Sequence, residues 1–285
     1  MNTLLIGDIH PDAKSLLTEK VVVQQINNEE FTTFPSSPDI EAIVLRTFTL
    51  CKKKELDKFS HLKYIISCSV GVDNLDLEEI KRRKIELIHV PGTNANSVAE
   101  HTLYLILSLL REDRNGSFFE LKGKTVGIIG FGAIGKIVAQ KLNGFECSVI
   151  AFDVIPQDEK ILKDLHVTMK TFEEVLKESD VVTVHVPLLP QTQGLLNEKA
   201  FLLMKKGCFF VNTSRAEIVY EEALVKNIDK FRGVGLDVYS DWLVRKLEER
   251  VLFTPHVAAK GEDSFRMQCV KPVEIFLSKI RKEEE

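Results

Sequence analysis

The sequence is poor in the features that mark several common classes of protein. Its five cysteines, Cys51, Cys68, Cys147, Cys208 and Cys269, are odd in number and scattered, with no Cys-x-x-Cys pair. Neither a disulfide framework nor a zinc site is indicated, and they read as buried or incidental thiols. No two histidines have the His-Glu-x-x-His spacing and no Gly-x-Ser-x-Gly turn occurs, so metal-dependent and serine-hydrolase chemistry lack a carrier and no metal is expected. The longest apolar run, residues 103–110, is far short of the roughly 20 residues that cross a bilayer. The N-terminus lacks a charged n-region and a cleavage site, so a cytoplasmic protein that meets no membrane is expected. An excess of positive charge is missing too: the formal net charge is −4 with interspersed signs. Lys52-Lys53-Lys54 and Lys81-Arg82-Arg83-Lys84 therefore read as solvated helix or turn surfaces, and no nucleic-acid partner is expected. Internal repeats and low-complexity segments are absent.

What is present is an ordinary globular composition, 44% hydrophobic and 28% charged, over 285 residues. That length favours two compact domains. Its most informative stretch is Lys124-Thr-Val-Gly-Ile-Ile-Gly-Phe-Gly-Ala-Ile-Gly135, an apolar run that empties into Gly130-x-Gly132-x-x-Gly135. This reads as a strand, a tight turn and a helix start. The first glycine makes the turn, the second lets backbone approach a pyrophosphate, and the third lets the helix pack on the strand. Phosphates then sit on free N–H groups at a helix N-terminus. A helix with Ile134, Ile137, Val138 and Leu142 on one face follows, then an apolar strand at 148–152 that ends at Asp153. An acidic residue about 20 positions beyond the glycines is placed to accept hydrogen bonds from the adenosine ribose, and its charge repels a 2′-phosphate. NAD is favoured over NADP.

Before the glycine turn, strand-like segments at 3–6, 42–45, 64–67 and 86–90 alternate with helical or polar stretches such as 75–84. From Thr125 onward a second series reads as strands at 125–129, 148–152, 181–185, 208–212, 233–236 and 251–254, mostly separated by helices. The fold expected is α/β: a Rossmann-type doubly wound parallel sheet carrying NAD, plus a smaller flavodoxin-like α/β substrate domain. The boundaries expected are 1–92 with 259–285 for the substrate domain and 93–258 for the NAD domain. Pro91-Gly92 breaks the chain, and Ser97-x-x-Glu100 reads as a capping box for an apolar helix at 98–110, on which His101 reads as packing. A helical segment at 262–280 ends in a charged tail read as solvated, and its return to the first domain leaves a cleft spanned by two crossovers.

Ligands of a parallel sheet gather outside the carboxyl ends of its strands. Arg215 follows one such strand and His256 another. A guanidinium binds a carboxylate through two parallel hydrogen bonds, and an imidazole delivers a proton near neutral pH. Beside a nicotinamide the pair suits reduction of a 2-oxo acid.

At this point the chain resembles the D-isomer-specific 2-hydroxyacid dehydrogenases, from about Arg46 to the last helix. The resemblance rests on ordered segments: Gly71-Val-Asp-Asn-Leu-Asp76, Val90-Pro-Gly-Thr-Asn-Ala95, Ser97-Val-Ala-Glu-His-Thr102, the glycine turn, His185-Val-Pro-Leu188 with Thr192, Asn212-Thr-Ser-Arg215, Leu236-Asp-Val238 and Thr254-Pro-His256. It implies an NAD-dependent dehydrogenase of a small 2-hydroxy or 2-oxo acid, of the glyoxylate, hydroxypyruvate/glycerate or phosphoglycerate type, with a homodimer interface on the 97–110 helix. In the roles it implies, Arg215 binds the substrate carboxylate and carbonyl, His256 exchanges the proton, the backbone of Val70 and Gly71 holds the carboxylate, and Arg46 reaches the substrate. Phe131, Gly132, Ala133 and Ile134, with Gly130 and Gly135, fall at the pyrophosphate and Asp153 at the ribose. His185, Val186, Pro187 and Thr192 surround the adenosine, and Thr213, Ser214 and Asp237 approach the nicotinamide half.

Departures from the family pattern are equally specific. The glutamate that normally orients the histidine is replaced by Trp242, with Asp241 one residue earlier. Asp241 is the expected stand-in, because a protonated imidazole needs a nearby anion to fix its tautomer and raise its pKa. Ser67 stands where phosphoglycerate dehydrogenases often carry arginine, which favours an unphosphorylated acid. A rival reading keeps the scaffold and drops the chemistry: an NAD(H)-binding sensor, like the co-repressors that resemble this family.

Overall fold

Every pairing among the described strands is parallel, so each strand must be reached by a crossover. The computed structural model describes residues 1–111, 117–247 and 249–284. The chain divides into two compact units, Met1–Asn94 with Gly261–Glu285, and Ala95–Lys260.

In the first unit, β1 (Asn2–Ile6), β2 (Val22–Ile26), β3 (Ala42–Leu45), β4 (Tyr64–Ser67) and β5 (Glu86–Ile88) form a sheet of order β2-β1-β3-β4-β5. That order is the flavodoxin-like one, in which ligands gather where the winding reverses, here between β1 and β3. Its helices are α1 (Pro11–Thr18), α2 (Asn28–Thr33), α3 (Lys53–Leu56), α4 (Leu77–Arg82) and the C-terminal helix Glu262–Glu284. One apolar layer holds Leu5, Val44, Ile66, Val273 and Phe276; the other holds Leu4, Ile43, Ile65, Phe31 and Phe59.

The second unit contains β6 (Thr125–Ile129), β7 (Ser148–Phe152), β8 (Val167–Met169), β9 (Val181–Val184), β10 (Phe209–Asn212), β11 (Gly233–Leu236) and β12 (Leu252–Phe253) in the order β12-β11-β10-β9-β6-β7-β8. Strands β9, β10 and β11 are buried at every residue, as a sheet covered on both faces requires. Its helices are α5 (Ala95–Arg111), α6 (Ala133–Leu142), α7 (Glu159–Asp164), α8 (Phe172–Glu178), α9 (Glu198–Leu203), α10 (Glu221–Asn227) and α11 (Asp241–Leu247). Leu105 and Leu109 of α5 pack directly over Gly233 and Gly235, where a Cβ would come within 3.1–3.4 Å of them.

Four expectations need correction. Strands β2 and β8 are not anticipated, because both lie at sheet edges and carry few buried residues, leaving little hydrophobic pattern to read. Ser97 does not cap a helix: α5 begins at Ala95, Ser97 Oγ donates to the Ala258 carbonyl at 2.8 Å, and Glu100 instead accepts from Asn96 and Lys141. The last helix runs past Ile280 to Glu284, so the charged tail is helical while residues 281–283 stay exposed, and the Tyr64 hydroxyl donates to Glu283; Glu285 lies outside the described residues. The basic clusters are not simply solvated. Lys52 Nζ donates to the carbonyls of Asp73 and Leu75, and Arg82 and Arg83 both bind Glu79, whose carboxyl their hydrogen bonds hold at about 2. The cysteines are free, and burial pushes the Cys51 and Cys208 thiols up to about 12. Among the described residues no helix is long and apolar enough to cross a membrane.

The C-terminal helix should be integral to the first unit, since Phe276 is fully buried with its ring edge-on to Tyr64 at 5.3 Å. Phe276→Ala is expected to cost about 3–5 kcal/mol in urea denaturation. A loss below about 1 kcal/mol would show that this helix does not build the core.

Candidate active site

In the second sheet the winding reverses between β6 and β9, and the glycine turn sits at that point. Gly130 has φ +94°, and a Cβ there would lie 2.7 Å from the His185 carbonyl group at the end of β9. At Gly135, in the first turn of α6, a Cβ would lie 2.3 Å from the Gly130 oxygen. Gly132 differs: a Cβ there meets no atom within 4 Å, and as N-cap of α6 it supplies no side-chain acceptor to the helix N–H groups. The turn therefore closes tightly against β9 and leaves open space over uncapped N–H groups, which is a fit for a diphosphate. Ala133 and Ile134 open the helix. Phe131 has a fully buried side chain, and its N–H donates to Asp153 Oδ2 at 2.6 Å. Asp153 Oδ1 accepts from Ile155 N at 2.8 Å, so the carboxylate is fixed beside the turn.

After β9 the chain runs through His185, Val186 and Pro187 to Thr192. His185 is buried, its Nε2 lies 3.1 Å from Thr183 Oγ1, and its Nδ1 has no hydrogen-bond partner among the described residues. Burial drives its pKa down to about 3, so the ring stays neutral and carries no charge toward a phosphate. Val186 packs against Gly130, and Thr192 Oγ1 donates to the Pro187 carbonyl at 2.6 Å and accepts from Leu189 N at 2.8 Å.

Arg215 and His256 line one cavity of about 370 Å³, together with Asp237, Val238, Tyr239 and Pro255. They arrive from the ends of β10, β11 and β12. Asn212 shapes the first of these: its Oδ1 accepts from Ser214 N and Oγ, and its Nδ2 donates to the Arg215 carbonyl at 2.9 Å. Thr213 Oγ1 lies 3.1 Å from Thr102 Oγ1 of α5. His256 has φ +52°, a left-handed backbone unusual for a non-glycine residue, and its N–H donates to the Thr254 carbonyl at 2.8 Å.

Asp237 holds that turn in place. Its carboxylate is 1% exposed and accepts from Thr254 Oγ1 at 2.6 Å, Val257 N at 2.9 Å and Ala258 N at 2.9 Å. Burial alone would raise its pKa, yet hydrogen bonds from His101, Thr254, Ala258 and Val257 bring it below the ordinary value. At His256 desolvation is the largest influence and lowers the pKa; the Asp237 charge opposes it, and Arg215 and Lys260 add to the lowering. Asp241 is exposed in the first turn of α11, and the carboxylate whose field reaches His256 is Asp237.

His101 corrects the sequence reading. It is not mere packing: its Nε2 lies 2.9 Å from Thr254 Oγ1 and 3.4 Å from Asp237 Oδ1. The signal was a histidine on the buried face of α5, three residues after Val98 and four before Leu105, where a polar ring needs a partner.

The first unit gathers its own set. Asn74 Nδ2 donates to the carbonyls of Arg46 and Thr49, and Ser69 Oγ accepts from Thr47 N, so the turn after β3 is joined to the loop after β4 that carries Val70 and Gly71. The Arg46 guanidinium lies over the rings of Phe265 (4.6 Å) and Phe48 (5.5 Å), and its buried Nε has no hydrogen-bond partner among the described residues. Ser67 is fully buried and adds no cation.

The contrast between two glycines gives a test. Gly132→Ala should leave the melting temperature in place and weaken NADH binding at least tenfold in a fluorescence titration, because only the ligand would occupy that space. Gly135→Ala should lower both, and equal NADH affinity in Gly132→Ala and wild type would remove the diphosphate from this turn.

Residues 95–258 match the family model described as D-isomer specific 2-hydroxyacid dehydrogenase, NAD binding domain. The chain is 34% identical over 244 residues to a D-3-phosphoglycerate dehydrogenase of Bacillus subtilis, covering 79% of this chain and 46% of that protein. It is 32% identical over 260 residues to a hydroxypyruvate reductase of Thermotoga maritima, covering 83% of this chain and 84% of that one. The chain thus spans about half the length of the phosphoglycerate dehydrogenase. Among solved structures, D-lactate dehydrogenase from Aquifex aeolicus, complexed with NAD and lactic acid, superposes with a TM-score of 0.85 at 27% identity, covering 99% of this chain and 96% of that one. With its two parallel sheets, its NAD-type glycine turn and a family match over more than half its length, this chain belongs to the D-isomer-specific 2-hydroxyacid dehydrogenases.

Proposed function

We propose that the protein is an NAD-dependent oxidoreductase that moves a hydride between NAD(H) and the 2-carbon of a small 2-hydroxy or 2-oxo acid, of the glyoxylate, hydroxypyruvate/glycerate or phosphoglycerate type. One observation carries this reading: Arg215 and His256 face the same cavity at the carboxyl edge of the sheet that bears the glycine turn. Gly130, Gly132, Gly135 and the start of α6 hold the diphosphate, and Asp153 faces the ribose. Bound NADH supplies the hydride.

Arg215 takes the substrate carboxylate and carbonyl in a forked hydrogen-bonded grip, which orients the 2-carbon and polarises its C=O. His256, as imidazolium, gives its proton to the carbonyl oxygen as that oxygen gains negative charge, and in the reverse direction takes the hydroxyl proton. Asp237, rather than Asp241, is the anion that supports the imidazolium. A buried Ser67, in place of the arginine common in phosphoglycerate dehydrogenases, favours an unphosphorylated substrate. Tyr104 and Leu107 are exposed on α5 and support a homodimer formed through that helix, in a cytoplasmic enzyme. Both relatives reported above carry enzyme names, which favours turnover over the sensor reading.

The purified protein is expected to oxidise NADH with glyoxylate or hydroxypyruvate and more slowly with phosphohydroxypyruvate, to prefer NADH over NADPH, and to lose at least about 100-fold in kcat on His256→Ala. NADH binding with no turnover on any of these acids would establish the sensor instead.

The pH dependence has a definite sign. Reduction needs protonated His256, and desolvation sets its pKa below the ordinary histidine value. Reduction should therefore decline as pH rises through a point below about 6.5, while oxidation should gain over the same window. Asp237→Asn removes the charge that raises that pKa and should move the decline to lower pH. Asp241→Asn should leave it unmoved, and the opposite pattern in the two variants would restore Asp241 as the partner.

A further inference from the structure

Thr254 has a single hydroxyl proton, and the geometry commits it. Thr254 Oγ1 donates to Asp237 Oδ1 at 2.6 Å, a buried carboxylate that can only accept. The contact of 2.9 Å between His101 Nε2 and the same hydroxyl oxygen must then run the other way, with His101 as donor. This fixes the His101 tautomer with its proton on Nε2, and that nitrogen also lies 3.4 Å from Asp237 Oδ1. One N–H from α5 is therefore aimed at the junction of the hydroxyl and the carboxylate.

The other face of the Asp237 carboxylate accepts from the N–H groups of Val257 and Ala258, which directly follow His256. A left-handed residue such as His256 is held there by its surroundings, since its own backbone preference runs against it. The groups that act on it charge by charge come from three directions: Asp237 from the end of β11, Arg215 from the end of β10, and Lys260 from its own loop. Asp241 acts on Tyr239.

We propose that His101 is a positioning residue for His256: its Nε2–H fixes the Thr254 hydroxyl and the Asp237 carboxylate, and through them the turn and the electrostatic field in which the imidazole works. The proposal rests on the dehydrogenase reading, and it assigns to a helix residue part of the work done in the family pattern by the missing glutamate. The side chain of His101 is 16% exposed, so it acts from within the second unit without touching the reacting atoms.

His101→Leu keeps the volume and removes the donor, whereas His101→Gln places an amide N–H near the same point. With glyoxylate and hydroxypyruvate as substrates, His101→Leu should lower kcat about tenfold or more with the NADH dissociation constant within about twofold of wild type, the size expected for a lost orienting partner. The pH at which reduction declines should move up by about half a unit, because withdrawing a donor leaves more of the Asp237 charge acting on His256. His101→Gln should recover most of both effects. An unchanged kcat and pH profile in His101→Leu would overturn the proposal. So would a fall in kcat matched by lost NADH affinity that His101→Gln does not relieve, which is the mark of a purely structural role. If the wild type turns over none of these acids, the dehydrogenase reading fails by itself. The inference is then decided by the NMR titration of His256 in His101→Leu, where an upward shift supports it and a superimposable curve overturns it.

Discussion

The structure at the carboxyl edge of the second sheet depends on one buried anion. Asp237, 1% exposed, would be costly to ionise at that depth without partners, and it has them: a hydroxyl, two backbone N–H groups and a histidine N–H. Those bonds do two jobs together. They keep the carboxylate ionised, and they tie the left-handed turn at His256 to the end of β11. The charge that counteracts desolvation at the imidazole thus comes from the group that sets its position. Removal of the carboxylate would leave the Thr254 hydroxyl and two backbone amides without their acceptor, which is why this site is built around it.

The sheets supply the frame for that constraint. Parallel pairing brings the ends of successive strands to one edge, and on that edge the second unit places the glycine turn, Asp153, Arg215, Asp237 and His256. Helix α5 then crosses beneath the reacting strands, close to Gly233 and Gly235, and offers two polar side chains to them. Thr102 meets Thr213 beside Arg215, and His101 meets Thr254 beside His256. Neighbouring residues of one helix so reach the bases of both candidate reacting groups.

Much of this was legible in the sequence, and what was not has identifiable causes. The glycine turn was readable because each glycine answers a steric demand that survives in the spacing. Buried central strands were readable as short apolar runs, whereas β2 and β8 face solvent at the sheet edges and lack that pattern. The capping box at Ser97 failed because the helix begins earlier, at Ala95, and Ser97 reaches instead to the Ala258 carbonyl. Asp241 is the carboxylate that counting along the chain from the Leu-Asp-Val segment points to. The carboxylate proposed in its place, Asp237, lies 19 residues from His256 in sequence but follows the strand next to the one that leads to it, and counting along a loop cannot register that. His101 escaped notice because a histidine on an apolar helix face is usually a packing residue, and only the hydrogen-bond geometry distinguishes it.

The proposed control of His256 by Asp237 is tested most directly by the titration of the His256 imidazole itself, followed by NMR on histidine-labelled protein in wild type and Asp237→Asn. A midpoint below that of free histidine, moving further down when the carboxylate is lost, is what this arrangement requires. A His256 that titrates like an exposed histidine and ignores the Asp237 substitution would contradict it.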